Sequence, residues 1–184
     1  MHPQNHMSDL DEPIQLVEYD EDWPHLSERE MLRLRSALGA PHPAIEHIGS
    51  TAVPGLVAKP IVDLMLGTDT LPPALATVTR LQNLGYCCLG EAGVAGRYYF
   101  RLRGPVAFNL HVVQHFGEHW KSNIALRDFL RADADARLRY AAAKRAAVAS
   151  GARTLLAYSD AKADELARLV KEACARHGLA VRDA

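Results

Sequence analysis

The feature that most constrains the fold is a dense apolar run at residues 61–66 (IVDLML), which carries a single acid. Runs of this kind are typical of a buried central strand. Because side chains alternate along a strand, Asp63 shares one face with Ile61 and Met65. A carboxylate among apolar neighbours is costly unless it is paired or bound to a metal ion. Asp63 is therefore either one half of a buried ion pair, with Lys59 or an arginine, or part of a functional site.

The N-terminal two thirds of the chain alternate between strand and helix patterns. Strands are also expected at 14–19, 44–48, 86–89, 97–102 and 106–113, and helices at about 22–38 and 71–84. A helix at 22–38 suits the Trp23-Pro24 step, since proline is tolerated in a first helical turn, and Gly39 follows as a stop.

From about residue 122 the pattern is helical. Ser122 is expected to cap one helix, Asp133 to restart it, and Ser159 to begin the last helix, which ends at Gly178. Strands first and helices last predict one α+β domain over 13–178, with a mixed β-sheet, flanking helices and a C-terminal helical segment at 122–178. Residues 1–12 are polar and acidic without a period, and they are predicted to be a disordered tail.

Composition excludes several functional classes. Lys plus Arg is 21 and Asp plus Glu is 22, a net charge of −1, which argues against a nucleic-acid binder and a membrane-surface protein. No apolar run approaches the roughly 18–20 residues that span a bilayer, and no signal peptide is expected. Three cysteines, two of them adjacent, form neither a disulfide framework nor a CxxC pair. The sequence therefore predicts a cytoplasmic protein.

A turn of three small residues, Gly49-Ser50-Thr51, follows the strand at 44–48. Gly49 lets the backbone approach a ligand closely. If a helix begins after Ser50, its free N–H groups and the two hydroxyls form an anion site, to which Lys59 could add a charge. The structural alternative is that Ser50 only caps a helix. The turn lacks the GK[ST] ending of a P-loop.

Three further segments carry polar side chains suited to a pocket. Asn109 and His111 share one face of the strand at 106–113, where His111 is a ligand, a proton shuttle or a satisfied core residue. Arg97, Tyr98 and Arg101 follow a glycine-rich loop, and the two arginines share a strand face that could neutralise phosphate or form part of a plain surface.

Lys162 stands near a predicted helix N-terminus, where a cation is unfavourable to the helix dipole, so it either serves an anion or is an ordinary surface lysine. His115 and His119 could share a helix face and bind metal, although packing is the stronger expectation there.

Together these segments resemble the GrpB family. The resemblance is carried by 45–56 (IEHIGSTAVPGL) and 58–63 (AKPIVD), and it extends from about residue 14 to 175. It implies a fold similar to the nucleotidyltransferase superfamily, in which a Gly-Ser turn holds nucleotide phosphates. In that superfamily two acids spaced D-x-D, with a third on a later strand, hold two Mg²⁺ ions. Gly49 and Ser50 match the turn, and Asp63 matches the first acid.

The chain departs from that superfamily at the metal site. Met65 stands where the second acid is expected, and the later strand offers Asn109 and His111. The implied divalent ion, Mg²⁺ or Mn²⁺, would then rely on Asp63 with His111, Glu46 or Glu91. His111 could act as a base instead.

Two functions follow from the resemblance. The first is an enzyme that transfers a nucleotidyl group to a small acceptor. Its phosphates would be held by Gly49, Ser50, Thr51 and Lys59, with Arg97, Tyr98, Arg101 and Lys162 around them, and Asp63 and His111 would be catalytic. The second is a non-catalytic module that binds a nucleotide or phosphorylated small molecule or supports a partner. Domains like this one also occur fused to dephospho-coenzyme A kinase, which links the module to coenzyme A metabolism. Neither function involves nucleic acid or a membrane.

Overall fold

The structure, a computed structural model, describes residues 11–40 and 43–179. Five strands form one sheet: β1 (Ile45–Ile48), β2 (Ile61–Thr68), β3 (Cys87–Cys88), β4 (Arg97–Leu102) and β5 (Ala107–Gln114). The helices are α1 (Trp23–Leu38), α2 (Leu75–Asn83), α3 (Glu118–Ala132), α4 (Ala134–Ala149), α5 (Leu155–Ala161) and α6 (Ala163–Arg176), and a 3₁₀ turn covers Ser50–Ala52. The predicted mixed α+β fold, with strands first and helices last, is confirmed.

The sheet order is β1-β2-β5-β4-β3, with β2 and β5 parallel and the other pairs antiparallel. Asp63 on β2 lies opposite Asn109 on β5, which lies opposite Arg101 on β4. Residues that face each other across a ladder point to the same side of the sheet. The register therefore collects the polar residues of three strands on one face.

The other face of the sheet holds the main core. Val62, Leu64, Leu66, Phe100 and Leu110 point toward α1 and α2 and pack with Trp23, Leu34, Leu81 and Tyr86. Burial of such side chains stabilises by about 1.5–3 kcal/mol each. This core holds the sheet rigid beneath the polar face.

The C-terminal helices form a second core on the polar side of the sheet. Val53, Leu56 and Val57, which follow the 3₁₀ turn, pack against side chains of α3, α4 and α6 such as Phe129, Ala141 and Leu169. Helix α3 also covers Met65 through Trp120. The helical segment is thus anchored to the loop that continues from the Gly49-Ser50-Thr51 turn.

Several predicted element boundaries are wrong. The segment 14–19 is not a strand: Val17 forms a single antiparallel bridge to Ala58, because this stretch lies outside the sheet. Ser122 lies inside α3, which starts at Glu118, and Ser159 lies inside α5, which is separated from α6 at Lys162.

The helix predicted at 71–84 starts only at Leu75, since the two residues that precede prolines, Leu71 and Pro72, disfavour helical backbone.

The predicted tail at 1–12 lies outside the described residues up to residue 10. Asp11 and Glu12 are described, and both make hydrogen bonds: the Asp11 carboxylate accepts from the backbone N–H of Leu156 at 3.0 Å, and Glu12 binds Arg103 through both carboxylate oxygens.

In residues 11–40 and 43–179, no helix combines the length and the apolarity that a bilayer crossing requires.

Candidate functional site

A cavity of about 610 Å³ lies between the polar face of the sheet and the C-terminal helices. The sequence-predicted residues that line it are Gly49, Ser50, Thr51, Lys59, Asp63, Arg97, Arg101, His111 and Lys162. These positions span more than one hundred residues of sequence. The fold therefore brings together most of the predicted site.

Two predicted site residues do not reach this cavity. Glu46 shares the sheet face with Asp63, but its carboxylate lies 2.7 Å from the guanidinium of Arg127 on α3. Tyr98 alternates with Arg97 along β4, so its ring packs against the main core on the opposite face. The geometry gives no support to a metal role for Glu46 or a ligand-binding role for Tyr98.

Position 49 requires glycine because of its backbone conformation and its close approach to Asp63. Its φ is +69°, in the left-handed region that favours glycine. A Cβ at this position would lie 2.7 Å from Oδ2 of Asp63 and 3.0 Å from the Asp63 Cβ. The turn after β1 therefore presses directly against the carboxylate on β2.

Asp63 is the charged centre of the cavity, with a side chain 24% exposed. Its Oδ1 accepts a 2.7 Å hydrogen bond from Nδ2 of Asn109 and lies 3.5 Å from Nε2 of His111. Burial is the largest influence on its pKa and raises it. His111, Lys59 and Asn109 together outweigh burial and bring the pKa of Asp63 down to about 2. Asp63 is therefore ionised at neutral pH.

Lys144 on α4 is a cavity residue that the sequence pattern did not identify. Its side chain is 1% exposed, and its Nζ donates to Oγ of Ser50 at 2.5 Å and to the carbonyl oxygen of Val57 at 2.8 Å. Burial lowers its pKa well below the usual value, and the neighbouring charge of Lys162 adds to that effect. Lys144 stands in the Ala-rich stretch 141–149, where no local signal marks it.

Two further lysines face the same end of the cavity. Lys162, between α5 and α6, lies 3.3 Å from the hydroxyl of Tyr140 and 5.3 Å from the ring centre of Tyr158. Lys59 lines the cavity just before β2. Burial lowers the pKa of Lys59, and the charge of Asp63 works against that shift. Three lysines from different elements thus line this cavity, and the charges of Lys162 and Lys59 both lower the pKa of Lys144.

Arg97 and Arg101 extend the cavity wall along β4. The Nη2 of Arg97 donates to the carbonyl oxygens of Glu91 and Ala92, both at 3.2 Å, and its guanidinium lies 4.8 Å from the ring centre of Tyr99. Its buried Nε has no hydrogen-bond partner among the described residues. Arg101 donates to the Tyr99 hydroxyl at 3.4 Å and lies 3.8 Å from the Glu12 carboxylate.

The helix expected after Ser50 is only a single 3₁₀ turn. The hydroxyl of Thr51 lies 2.9 Å from Nε2 of His47, so that hydroxyl is already engaged within the protein. Burial lowers the pKa of His47 to about 4. The polar group that the turn presents to the Lys144 side of the cavity is therefore the Ser50 hydroxyl.

The residues present suit one divalent ion better than two. The described residues contain no group of three or more His, Cys, Asp or Glu side chains arranged for a metal. Oδ2 of Asp63 accepts no hydrogen bond from them, and Mg²⁺ is often held by one carboxylate and the phosphates of its ligand. The second acid position of the implied two-ion site is occupied by Met65, which is 0% exposed.

The alternative metal pair, His115 and His119, is engaged in other contacts. The ring of His115 stacks on Phe116 with centroids 3.8 Å apart and meets Trp120 edge-on. Nε2 of His119 lies 2.7 Å from the carbonyl oxygen of Ala95. Both imidazoles therefore have packing or hydrogen-bonding contacts within the described residues.

The fold and the cavity define a mixed-sheet α+β protein with a cation-lined pocket between its sheet and its C-terminal helices. The chain belongs to the GrpB family: the family model described as GrpB protein matches residues 13–172. The structure is similar to the crystal structure of GrpB from Enterococcus faecalis, with a TM-score of 0.75 and 28% identity, covering 89% of this chain and 99% of that one.

Two curated relatives extend the comparison. A UPF0157 protein of Halalkalibacterium halodurans is 37% identical over 162 residues, which is 87% of this chain and 82% of the relative. A dephospho-CoA kinase of Mycolicibacterium paratuberculosis is 28% identical over 161 residues, which is 73% of this chain and 40% of the kinase.

Proposed function

We propose that the cavity binds a nucleotide or another phosphorylated small molecule. The observation that carries this proposal is its charge: Lys59, Arg97, Lys144 and Lys162 line it, and Asp63 is the one acid among the described lining residues. Buried cations without a matching number of carboxylates are costly in an empty cavity. An anionic ligand offsets that cost, and phosphate oxygens accept the charge-assisted hydrogen bonds that these groups donate.

The phosphates are best placed beside Ser50. Lys144 binds the Ser50 hydroxyl and the Val57 carbonyl, both neutral acceptors, so its charge has no carboxylate partner within hydrogen-bond distance in the described residues. Lys162 faces the same end of the cavity. A phosphate there would accept from both ammonium groups and from the Ser50 hydroxyl. The resemblance of the Gly49-Ser50 turn to a phosphate-binding turn supports the same placement.

In its enzymatic form, the protein transfers a nucleotidyl group to a small acceptor. An acceptor hydroxyl oxygen forms a bond to the α-phosphorus, the bond from that phosphorus to the bridging oxygen breaks, and pyrophosphate leaves. His111, whose Nε2 lies 3.5 Å from Oδ1 of Asp63, would take the acceptor proton on its imidazole ring. Asp63 would hold a single Mg²⁺ or Mn²⁺, which when bound neutralises charge on the phosphates.

The second candidate is a binding module without catalysis. The buried Met65 in the place of a second acid favours it, because two-ion phosphoryl transfer uses several oxygen ligands. The name of the mycobacterial relative makes dephospho-coenzyme A a ligand to test. In this form the cavity binds the phosphorylated molecule through the same cations and releases it unchanged.

A thermal-shift panel tests the proposal. Nucleotides and dephospho-coenzyme A are screened with Mg²⁺, Mn²⁺, Zn²⁺ or a chelator, on the wild type and Lys144→Met. A ligand at 100 times its Kd stabilises the fold by about 2.7 kcal/mol, which is a measurable change in Tm at this size. A shift that Lys144→Met abolishes supports binding in this cavity. Product formation with a hydroxyl acceptor then separates the enzyme from the module. The absence of any shift contradicts both.

A further inference from the structure

Beyond the phosphate end of the cavity, β4 forms a second cationic wall that a phosphate bound at Ser50 does not reach. Arg97 and Tyr99 lie on this wall, and the sheet order β1-β2-β5-β4 places it on the far side of Asp63 and His111 from Ser50. Neighbouring strands are about 4.8 Å apart, so about 14 Å separates β1 from β4. A single phosphate group is too small to contact both walls.

The second wall has an unused donor. The Arg97 guanidinium makes no ion pair among the described residues, and it donates only to the carbonyl oxygens of Glu91 and Ala92. Its Nε is buried and without a hydrogen-bond partner in the described chain. A buried donor left without a partner costs about 1–3 kcal/mol, so native proteins rarely keep one without a reason. Arg97 lines the cavity, so its guanidinium is the group that a ligand oxyanion would meet on this wall.

The wall around Arg97 is held in place by contacts at both ends of its loop. The carboxylate of Glu91 accepts from the backbone N–H of Gly96 at 2.9 Å, and His119 on α3 contacts the carbonyl oxygen of Ala95 at 2.7 Å. The guanidinium also packs over the ring of Tyr99, 4.8 Å from the ring centre. The site is therefore shaped before a ligand arrives, which is the condition for specific recognition of an oxyanion.

We propose that the cavity holds two oxyanions at once, one at Ser50 and Lys144 and one at Arg97, on opposite sides of the Asp63–His111 pair. The inference rests on the proposed function and deepens it: the second substrate, or the acceptor, is itself a small anion that carries a phosphate or a carboxylate. Arg97 binds that group through its guanidinium and so sets the substrate class. A neutral acceptor would leave the charge of Arg97 without a counter-ion.

The experiment uses simple anions as probes, because the natural ligands are not identified. Titration calorimetry first measures inorganic triphosphate binding to the wild type, Lys144→Met and Arg97→Gln. Inorganic phosphate is then titrated into protein saturated with triphosphate, and malonate replaces it in a parallel series. We expect phosphate or malonate to bind on top of triphosphate. The probe that binds more tightly tells a phosphate-bearing from a carboxylate-bearing second substrate.

The variants separate the two sites. Arg97→Gln is expected to weaken binding of the second anion at least tenfold and to change triphosphate affinity less than twofold, whereas Lys144→Met does the reverse. Arg97→Lys, which keeps the charge without the planar fork, should recover part of the loss and controls for folding of the loop. If triphosphate binds and no second anion follows, or if Arg97→Gln leaves the second anion unaffected, the second site is disproved alone. If triphosphate itself does not bind, the proposed function fails, and simultaneous occupancy fails with it.

Discussion

Nζ of Lys144 lies 2.5 Å from Oγ of Ser50, which joins helix α4 to the turn after β1. The two residues are 94 positions apart in the chain. Through this contact the helical segment places a buried cation beside the only hydroxyl that the turn presents to that side of the described cavity. The phosphate end of the proposed site is thus completed by the C-terminal helices and is not a property of the turn alone.

Replacing Lys144 by Met is expected to leave the protein at least as stable as the wild type at pH 7. Burial lowers the pKa of Lys144, so the fold disfavours its charged form. The buried charge therefore lowers the free energy of unfolding at neutral pH. This loss shrinks as the pH rises toward the pKa that Lys144 has in the unfolded chain. Urea unfolding at pH 7 and pH 9 measures the effect: the advantage of Lys144→Met should shrink at pH 9. A loss of 2 kcal/mol or more would instead show that its two hydrogen bonds outweigh the buried charge.

Gly49→Ala is expected to destabilise the protein by about 3 kcal/mol. The left-handed backbone contributes about 1 kcal/mol, and the contact of the new Cβ with Asp63 at 2.7 Å contributes the rest. Gly55→Ala is the matched control, since Gly55 has φ +76° and nothing within 4 Å of its would-be Cβ. Urea denaturation should show a loss of only about 1 kcal/mol for Gly55→Ala. Equal losses would show that the approach to Asp63 is not tight.

The free energy of unfolding is expected to fall with acid because of His47. Its pKa is about 4 in the fold and about 6.5 when unfolded, so the unfolded state binds more protons between those values. The neutral imidazole makes its full contribution to the free energy of unfolding above pH 6.5. This contribution falls as the pH drops toward 4, by about 2 kcal/mol between pH 7 and pH 5.

Chemical denaturation at pH 7 and pH 5 checks this effect of His47. The variant His47→Gln should flatten the slope, while His25→Gln, at an exposed position on α1, should retain it. A wild-type slope that persists in His47→Gln would assign the acid sensitivity to another group.

Asp63→Asn is expected to remove the metal-dependent part of ligand binding and to keep the rest. The ionised carboxylate is the oxygen donor that would hold a divalent ion, whereas Ser50 and Lys144 bind phosphate without it. Thermal shifts with the best nucleotide of the panel are compared in Mn²⁺ and in chelator. The difference should vanish in Asp63→Asn and persist in Asp69→Asn, whose side chain is exposed outside the cavity. An unchanged Mn²⁺ effect in Asp63→Asn would place the ion elsewhere.

Local sequence patterns predicted the sheet because its strands are dense in apolar residues and its turns carry glycine. The same patterns located Asp63 and His111, since alternation along a strand separates a polar residue from the core. They failed at 14–19, where an alternating stretch forms one isolated bridge, from Val17 to Ala58, outside the sheet.

Lys144 could not be found from its own surroundings, because a lysine among alanines looks like a solvated helix face. Only the packing of α4 on the loop after the turn brings its Nζ to Ser50. Likewise, the partner that draws Glu46 away, Arg127, lies on a helix distant in sequence.

The central claim is that Ser50 and Lys144 bind phosphate in this cavity, and calorimetric titration of inorganic triphosphate tests it most directly. Lys171→Met is the control, since Lys171 is exposed on α6. Triphosphate is expected to bind the wild type and Lys171→Met with equal affinity and Lys144→Met at least tenfold more weakly, because a charge-assisted hydrogen bond contributes about 1.5–3 kcal/mol. Equal affinity for all three proteins, or no binding to the wild type, would contradict it.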